Sequence, residues 1–172
     1  MPGNALHTNE ELKTDKSLRW RNLCIDFDLC DKFASRLRRH RFRWSKPMRF
    51  NSHNKRHVPS DQAGIYIFFV KPNFQFFSEQ SFIMYIGYTM NLKSRYDDYL
   101  KYKNSDEPNL LYKRMMLNIW EETLYYSFAS LNKAREEVKQ IETEMISSVV
   151  PPINKEFLDA YVKQQVDLYR KR

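Results

Sequence analysis

Two short apolar runs, Gly64 to Val70 (GIYIFFV) and Phe82 to Gly87 (FIMYIG), set the strongest limits on what this chain can fold into. Both are rich in β-branched and aromatic residues, and Lys71-Pro72-Asn73 closes the first, so each run predicts a strand with a turn at its exit. Side chains alternate faces along a strand, which places Tyr66 with Phe68, and Tyr85 with Ile83 and Gly87. Two neighbouring antiparallel strands then present both phenols on one side. The whole chain has three glycines, and two of them, Gly64 and Gly87, lie in these runs. With 172 residues, no internal repeat and no Gly/Ser linker, one domain is expected.

Downstream, Tyr88 to Leu100 reads as a helix with Thr89 or Asn91 as N-cap and Leu92, Tyr96, Tyr99 and Leu100 at helical spacing. Arg95 falls three after Leu92 and four before Tyr99, so it projects from the inward half of that helix, where an arginine usually meets an anion. A third strand is predicted over Thr123 to Phe128. A second helix is predicted over Asn132 to Val149, with Ala134, Val138, Ile141, Met145 and Val149 as its apolar stripe. Glu142 adjoins that stripe, and a carboxylate there is costly unless it pairs or holds a metal. Glu144, the competing carboxylate, falls away from it.

Taken in order, Gly64-Ile65-Tyr66, Tyr85-Ile86-Gly87, Asn91-Leu92-Lys93 with Arg95, Glu142 followed by Met145-Ile146, and Pro151-Pro152-Ile153-Asn154 resemble the GIY-YIG nuclease family. The resemblance spans residues 64 to 154. It implies a metal-dependent DNA endonuclease in which Glu142 anchors one Mg²⁺ or Mn²⁺ and Arg95 lies against the scissile phosphate. Tyr66 is implied to orient or deprotonate the attacking water, Tyr85 to hydrogen-bond the phosphate or Tyr66, Gly87 to let backbone approach substrate, and Asn154 to fix the geometry around Glu142. A free phenol has a pKa of about 10, so a base role for Tyr66 needs a nearby cation. Tyr88 stands where many members of that family carry lysine, and Tyr99 where a subset uses histidine. Residues 73 to 81 exceed the compact family hairpin and are expected to form a DNA-stacking loop or a tip packed on a partner. A free-standing restriction-type enzyme is one expected setting; a structure-selective, single-strand repair or mobile-element nuclease is another. A non-catalytic DNA-binding module of the same fold is the reading from a different class.

Charge localises the expected partner. Residues 1 to 60 carry 14 Lys/Arg against 6 Asp/Glu, and the remainder balances at 15 of each, so all of the net +8 precedes the nuclease-like motif. Arg36, Arg38, Arg39, Arg41, Arg43, Lys46, Arg49, Lys55 and Arg56 occur with no acidic residue among them and with Phe42, Trp44 and Phe50 interleaved. Cations for phosphates and aromatics for stacking suit DNA contact. Leu29 to Phe42 is predicted helical, and Pro47 then forces extended chain.

The expected organisation is an α/β (α+β) fold with a small, mainly antiparallel three-stranded sheet flanked by helices. A basic N-terminal helical extension (1–60) packs on or next to a core (61–157), and a C-terminal helix (158–172) follows. That last helix could pack on the core or serve a homodimer contact. Cys24, Cys30, His53 and His57 could supply four zinc ligands, but five residues between the cysteines exceed the usual spacing, and zinc is not expected. No apolar run approaches the ~20 residues of a membrane span. A reduced, cytoplasmic protein acting on DNA, not on a small molecule or at a membrane, is the expectation.

Overall fold

The computed structural model describes His40 and residues 42–72, 81–155, 160 and 163–164. Arg36, Arg38, Arg39, Arg41, the two cysteines, the expected helix beginning at Leu29, the 73–80 segment and most of the expected C-terminal helix lie outside the described residues.

Four strands form one antiparallel sheet in the order β1-β4-β2-β3: β1 (Met48–Arg49), β2 (Gly64–Val70), β3 (Phe82–Thr89) and β4 (Leu124–Ser130). The expected three-stranded sheet therefore gains β1, whose two residues pair with Tyr126 and Tyr125 on the outer edge of β4. A strand that short carries no periodic signal. It is held instead by its flanks, where the Ser45 and Phe50 amides donate to the carbonyls of Phe128 and Leu124. The expected mixed α/β architecture is what the chain adopts.

Among the described residues three α-helices cover the two faces: α1 (Leu92–Tyr102), α2 (Leu111–Ile119) and α3 (Arg135–Val149). Asn91 caps α1, its side chain accepting from the Ser94 amide at 3.0 Å. The α2 helix is entered through a 3-10 turn over Pro108–Leu110. On one face α1 and α2 pack Tyr96, Tyr99, Met116 and Leu117 against Tyr66, Phe68 and Tyr126. On the other, α3 packs Val138, Ile141, Met145 and Ile146 against Ile65 and Ile86. Both faces of β2 are buried, which is why GIYIFFV reads as a near-continuous apolar run.

The β2–β3 register aligns Tyr66 with Gly87 and Phe68 with Tyr85, so the two phenols do share a face. Beyond that pair the register shifts between Phe68 and Phe69. Met84 and Tyr85 both join the Tyr66 side, while Ile83 packs with the α3 side. The expected grouping of Tyr85 with Ile83 fails because a bulge interrupts alternation there. Residues 42–60 are part of the core assembly: Phe50 lies 5.1 Å from the Phe68 ring and 4.7 Å from that of Tyr96, and Val58 is buried.

Candidate active site

Gly64 and Gly87 are required by close approach. A Cβ on Gly64 would collide with the Ala129 carbonyl oxygen on β4, and one on Gly87 with the Tyr66 phenol. Gly87 thus makes room for a buried ring of the protein itself. Tyr66 is only 2 % exposed, and its hydroxyl lies 3.3 Å from that of Tyr99 on α1. The Tyr66 ring sits 5.7 Å from Tyr126, 5.8 Å from Tyr99 and 6.2 Å from Tyr85.

This packing disfavours ionisation of Tyr66. Burial, reinforced by Tyr85, pushes its pKa well above the ordinary phenol value, and Arg95 and the Tyr99 hydrogen bond pull it back only in part. Burial likewise raises Tyr85 and Tyr99. Burial thus disfavours phenolate at all three rings, and neutral phenols are suited to orienting groups by hydrogen bonding. The nearby cation expected to favour phenolate is present and is outweighed by desolvation.

Arg95 projects inward from α1 as its spacing predicts. Its guanidinium pairs with Asp98 at 3.3 Å, and its Nε is buried with no hydrogen-bond partner. Burial alone would lower its pKa, yet Tyr66, Tyr99, Tyr102 and Asp98 together hold it above the usual value. A permanently charged group with a dry, unfilled donor is suited to an anion.

At the free edge of β3 a cleft of about 610 Å³ opens between the two helical layers. Tyr85 and Tyr88 form its floor, Asn109, Tyr112 and Lys113 one wall, and Lys139, Glu142, Thr143 and Ile146 the other. Glu142 lines this cleft and Glu144 does not. The further expectation that Glu144 leaves the packed side of α3 does not hold. It is 7 % exposed, accepts from Gln140 at 3.3 Å and lies 3.9 Å from His40. His40 and Phe42 lie against a helix face that the sequence alone leaves open. Tyr85 is the residue common to both halves of the site: it lies in the cleft and feels both Glu142, which raises its pKa, and Arg95, which lowers it.

Asn154 closes the edge. After α3, Val150 turns left-handed (φ 49°) and leads the chain back through Pro151-Pro152 to β3. There Asn154 Oδ1 accepts from the Ile86 amide at 2.9 Å and Nδ2 donates to the Ile86 carbonyl at 2.8 Å, while the Ile153 amide donates to Met84 at 3.1 Å. The side chain acts as one residue of a fifth strand. It fixes the backbone between Tyr85 and Gly87 relative to α3, and so sets the Tyr85–Glu142 geometry from behind. Asn154→Ala strands both Ile86 groups in a buried position and is expected to cost about 2–4 kcal/mol. Thermal unfolding measures this, and an unchanged Tm would contradict it.

Of the expected DNA-contacting residues, Arg43, Trp44 and Lys46 are exposed along the β4–β1 edge, with Trp44 at 37 %. Arg49 lies 3.7 Å from Glu122, Lys55 is held at 2.7 Å by Asp97, and the Arg56 Nε donates to His57. The described part of the basic stripe thus occupies the sheet edge opposite Asn154, three strand spacings or about 15 Å from β3. Lys113, Tyr112 and Asn109 were missed by the sequence reading. The signal available was the amphipathic run Leu110 to Leu117 behind Pro108.

Among the described residues no three His, Cys, Asp or Glu side chains converge, and no helix is long and apolar enough to cross a membrane. No protein-family profile, no curated protein and no solved structure matches this chain.

Proposed function

We propose that the protein is a metal-dependent DNA endonuclease of the GIY-YIG type. The observation that carries this reading is the convergence at one sheet edge of residues far apart in sequence. Tyr85, Glu142 and Asn154 line one cleft, and Tyr85 joins it electrostatically to Arg95 and Tyr66. These are the same five residues singled out by the resemblance.

Phosphodiester hydrolysis needs charge neutralised on the phosphoryl oxygens, a placed water and a stabilised leaving oxygen. Arg95, charged and with an unfilled Nε, neutralises a non-bridging oxygen. The Tyr85 hydroxyl, at the cleft floor, donates to the same phosphate. Tyr66 and Tyr99 lie beneath it as a neutral, hydrogen-bonded pair that fixes the Tyr85 ring and orients water by hydrogen bonding.

Glu142 fits a divalent cation of the Mg²⁺ type, because such ions keep most of their waters and take one or two protein carboxylates plus substrate phosphate oxygens. The Asn154 amide is spent on Ile86, which leaves Glu142 as the protein donor on that wall. When bound, the ion supplies Lewis-acid stabilisation of the phosphate and the departing 3′ oxygen. The single carboxylate implies weak binding of metal without DNA. On the opposite edge Arg43, Trp44 and Lys46 bind the flanking duplex. Their distance across the sheet is close to the ~12 Å width of a major groove.

The reaction type is tested by the ends it leaves. End-labelled DNA incubated with Mg²⁺ is expected to yield 3′-hydroxyl and 5′-phosphate termini that a ligase rejoins. Termini bearing a 3′-phosphate would overturn the proposed displacement of the 3′ oxygen.

A further inference from the structure

Lys113 belongs to none of the motifs, yet it is the most constrained cation in the cleft. From α2 its ammonium lies 5.4 Å from the ring centroid of Tyr85, 5.6 Å from Tyr99 and 5.6 Å from Tyr102. Three aromatic rings surround its ammonium, and no carboxylate lies within ion-pair distance of it among the described residues. Lys155 faces the same cleft, 4.5 Å above the Tyr112 ring, and Lys139 lines the far wall beside Glu142. The described lining therefore places three ammonium groups near one carboxylate.

Like charges gathered in a recess repel. Burial, Arg95 and Lys155 all act to lower the Lys113 pKa. A recess with this excess of positive charge, to which a metal on Glu142 adds two more, has more cation than one phosphodiester can balance. Aromatic seats for Lys113 and Lys155 keep those charges in place instead of letting them extend into solvent.

We propose that Lys113 and Lys155 form a second phosphate subsite, which holds the backbone phosphate of the cleaved strand next to the scissile one. This rests on the nuclease reading for the identity of the scissile phosphate. The ligand is an internal nucleic-acid phosphate with a neighbour on the same strand. A 610 Å³ cleft has room for more than one phosphate and its sugar. The subsite binds by charge, so arginine substitutes at either position and methionine does not.

The test uses the full chain in EDTA with a fluorescent oligonucleotide duplex, which separates binding from cleavage. Lys113→Met is expected to weaken binding roughly tenfold and to make the plot of log K against log salt shallower by about 0.9, the value for one lost phosphate contact. Lys113→Arg keeps the wild-type slope. Replacing the phosphates of the duplex one at a time by neutral methylphosphonates then locates the contact. At one position adjacent to the scissile phosphate, the Lys113→Met penalty disappears. An unchanged salt slope in Lys113→Met, or a penalty that is the same with every methylphosphonate, overturns the subsite whether or not the wild type cuts. A wild type that binds DNA but leaves it uncut with Mg²⁺ defeats the nuclease reading alone, and the slope still decides the lysines. Thermal unfolding of each variant separates loss of charge from loss of packing on the tyrosines.

Discussion

Glu142→Gln is expected to abolish the proposed DNA cleavage, by about 10³-fold or more, while affinity for DNA measured in EDTA is expected to stay within a few-fold of wild type. The substitution keeps the shape of the side chain and removes its charge. Glu142 is only part-buried and stands on the wall of an open cleft, where an uncharged isostere is tolerated. Stability is expected to change by less than about 1 kcal/mol. The effect is expected to fall on chemistry because, among the described lining residues, Glu142 is the one carboxylate beside Lys113, Lys139 and Lys155, and the proposed cation would rest on it. Metal titration supplies the cross-check: in the presence of uncleaved DNA, Mn²⁺ binding weakens in Glu142→Gln and is unchanged in Glu144→Gln. Glu144 is two residues on and is turned to Gln140 and His40. Equal losses in both variants would mean that the acid is recruited for packing and not for metal.

The second large effect is expected at Gly87. A methyl group there meets the hydroxyl, the adjoining ring carbon and a ring-edge carbon of Tyr66. The ring has nowhere to go, since Phe68, Tyr85, Tyr99 and Tyr126 surround it. Gly87→Ala must therefore displace either β3 or the tyrosine stack, at a cost of about 3 kcal/mol. That corresponds to a fall of roughly 6–12 °C in Tm for a domain of this size. Tyr66→Leu in the same chain removes the colliding atoms and is expected to restore most of the stability but none of the activity. Restored cleavage in the double variant would show that Tyr66 has no part in the reaction, and an unaltered Tm in Gly87→Ala would show that the β2–β3 register differs from the one described.

The parts of this fold that the sequence displays openly are those in which one local pattern has one consequence. The runs around Tyr66 and Tyr85 are apolar, glycine-bounded and short, and they become adjacent strands with the phenols on one face. Arg95 lies between Leu92 and Tyr99 on a capped helix, and half-burial of its side chain follows. Other features depend on contacts that no local pattern encodes. The bulge beyond Phe68 breaks the alternation that grouped Tyr85 with Ile83. The two-residue β1 exists because Ser45 and Phe50 tie its ends to β4. Glu144 is buried, with His40, more than a hundred residues earlier in the chain, 3.9 Å away.

The candidate site divides in the same way. Its five motif residues were visible in order and spacing, but their division of labour was not. Only packing shows Tyr66 as a neutral phenol beneath the cleft floor, Gly87 as the space for its ring, and Asn154 as a clamp on Ile86. Lys113 escaped notice because residues 101 to 122 mix charge and apolar residues without a long stripe, and its significance lies in three tyrosines from β3 and α1.

The most direct test of the central claim is cleavage of supercoiled plasmid, linear duplex and single-stranded DNA by the wild-type chain with Mg²⁺, Mn²⁺ or EDTA, beside Glu142→Gln. The account requires metal-dependent nicking or cutting of at least one substrate, absent in EDTA and absent in the variant. A wild type that binds DNA and cuts none of them with either metal, or a Glu142→Gln protein that cuts as well as wild type, would contradict it.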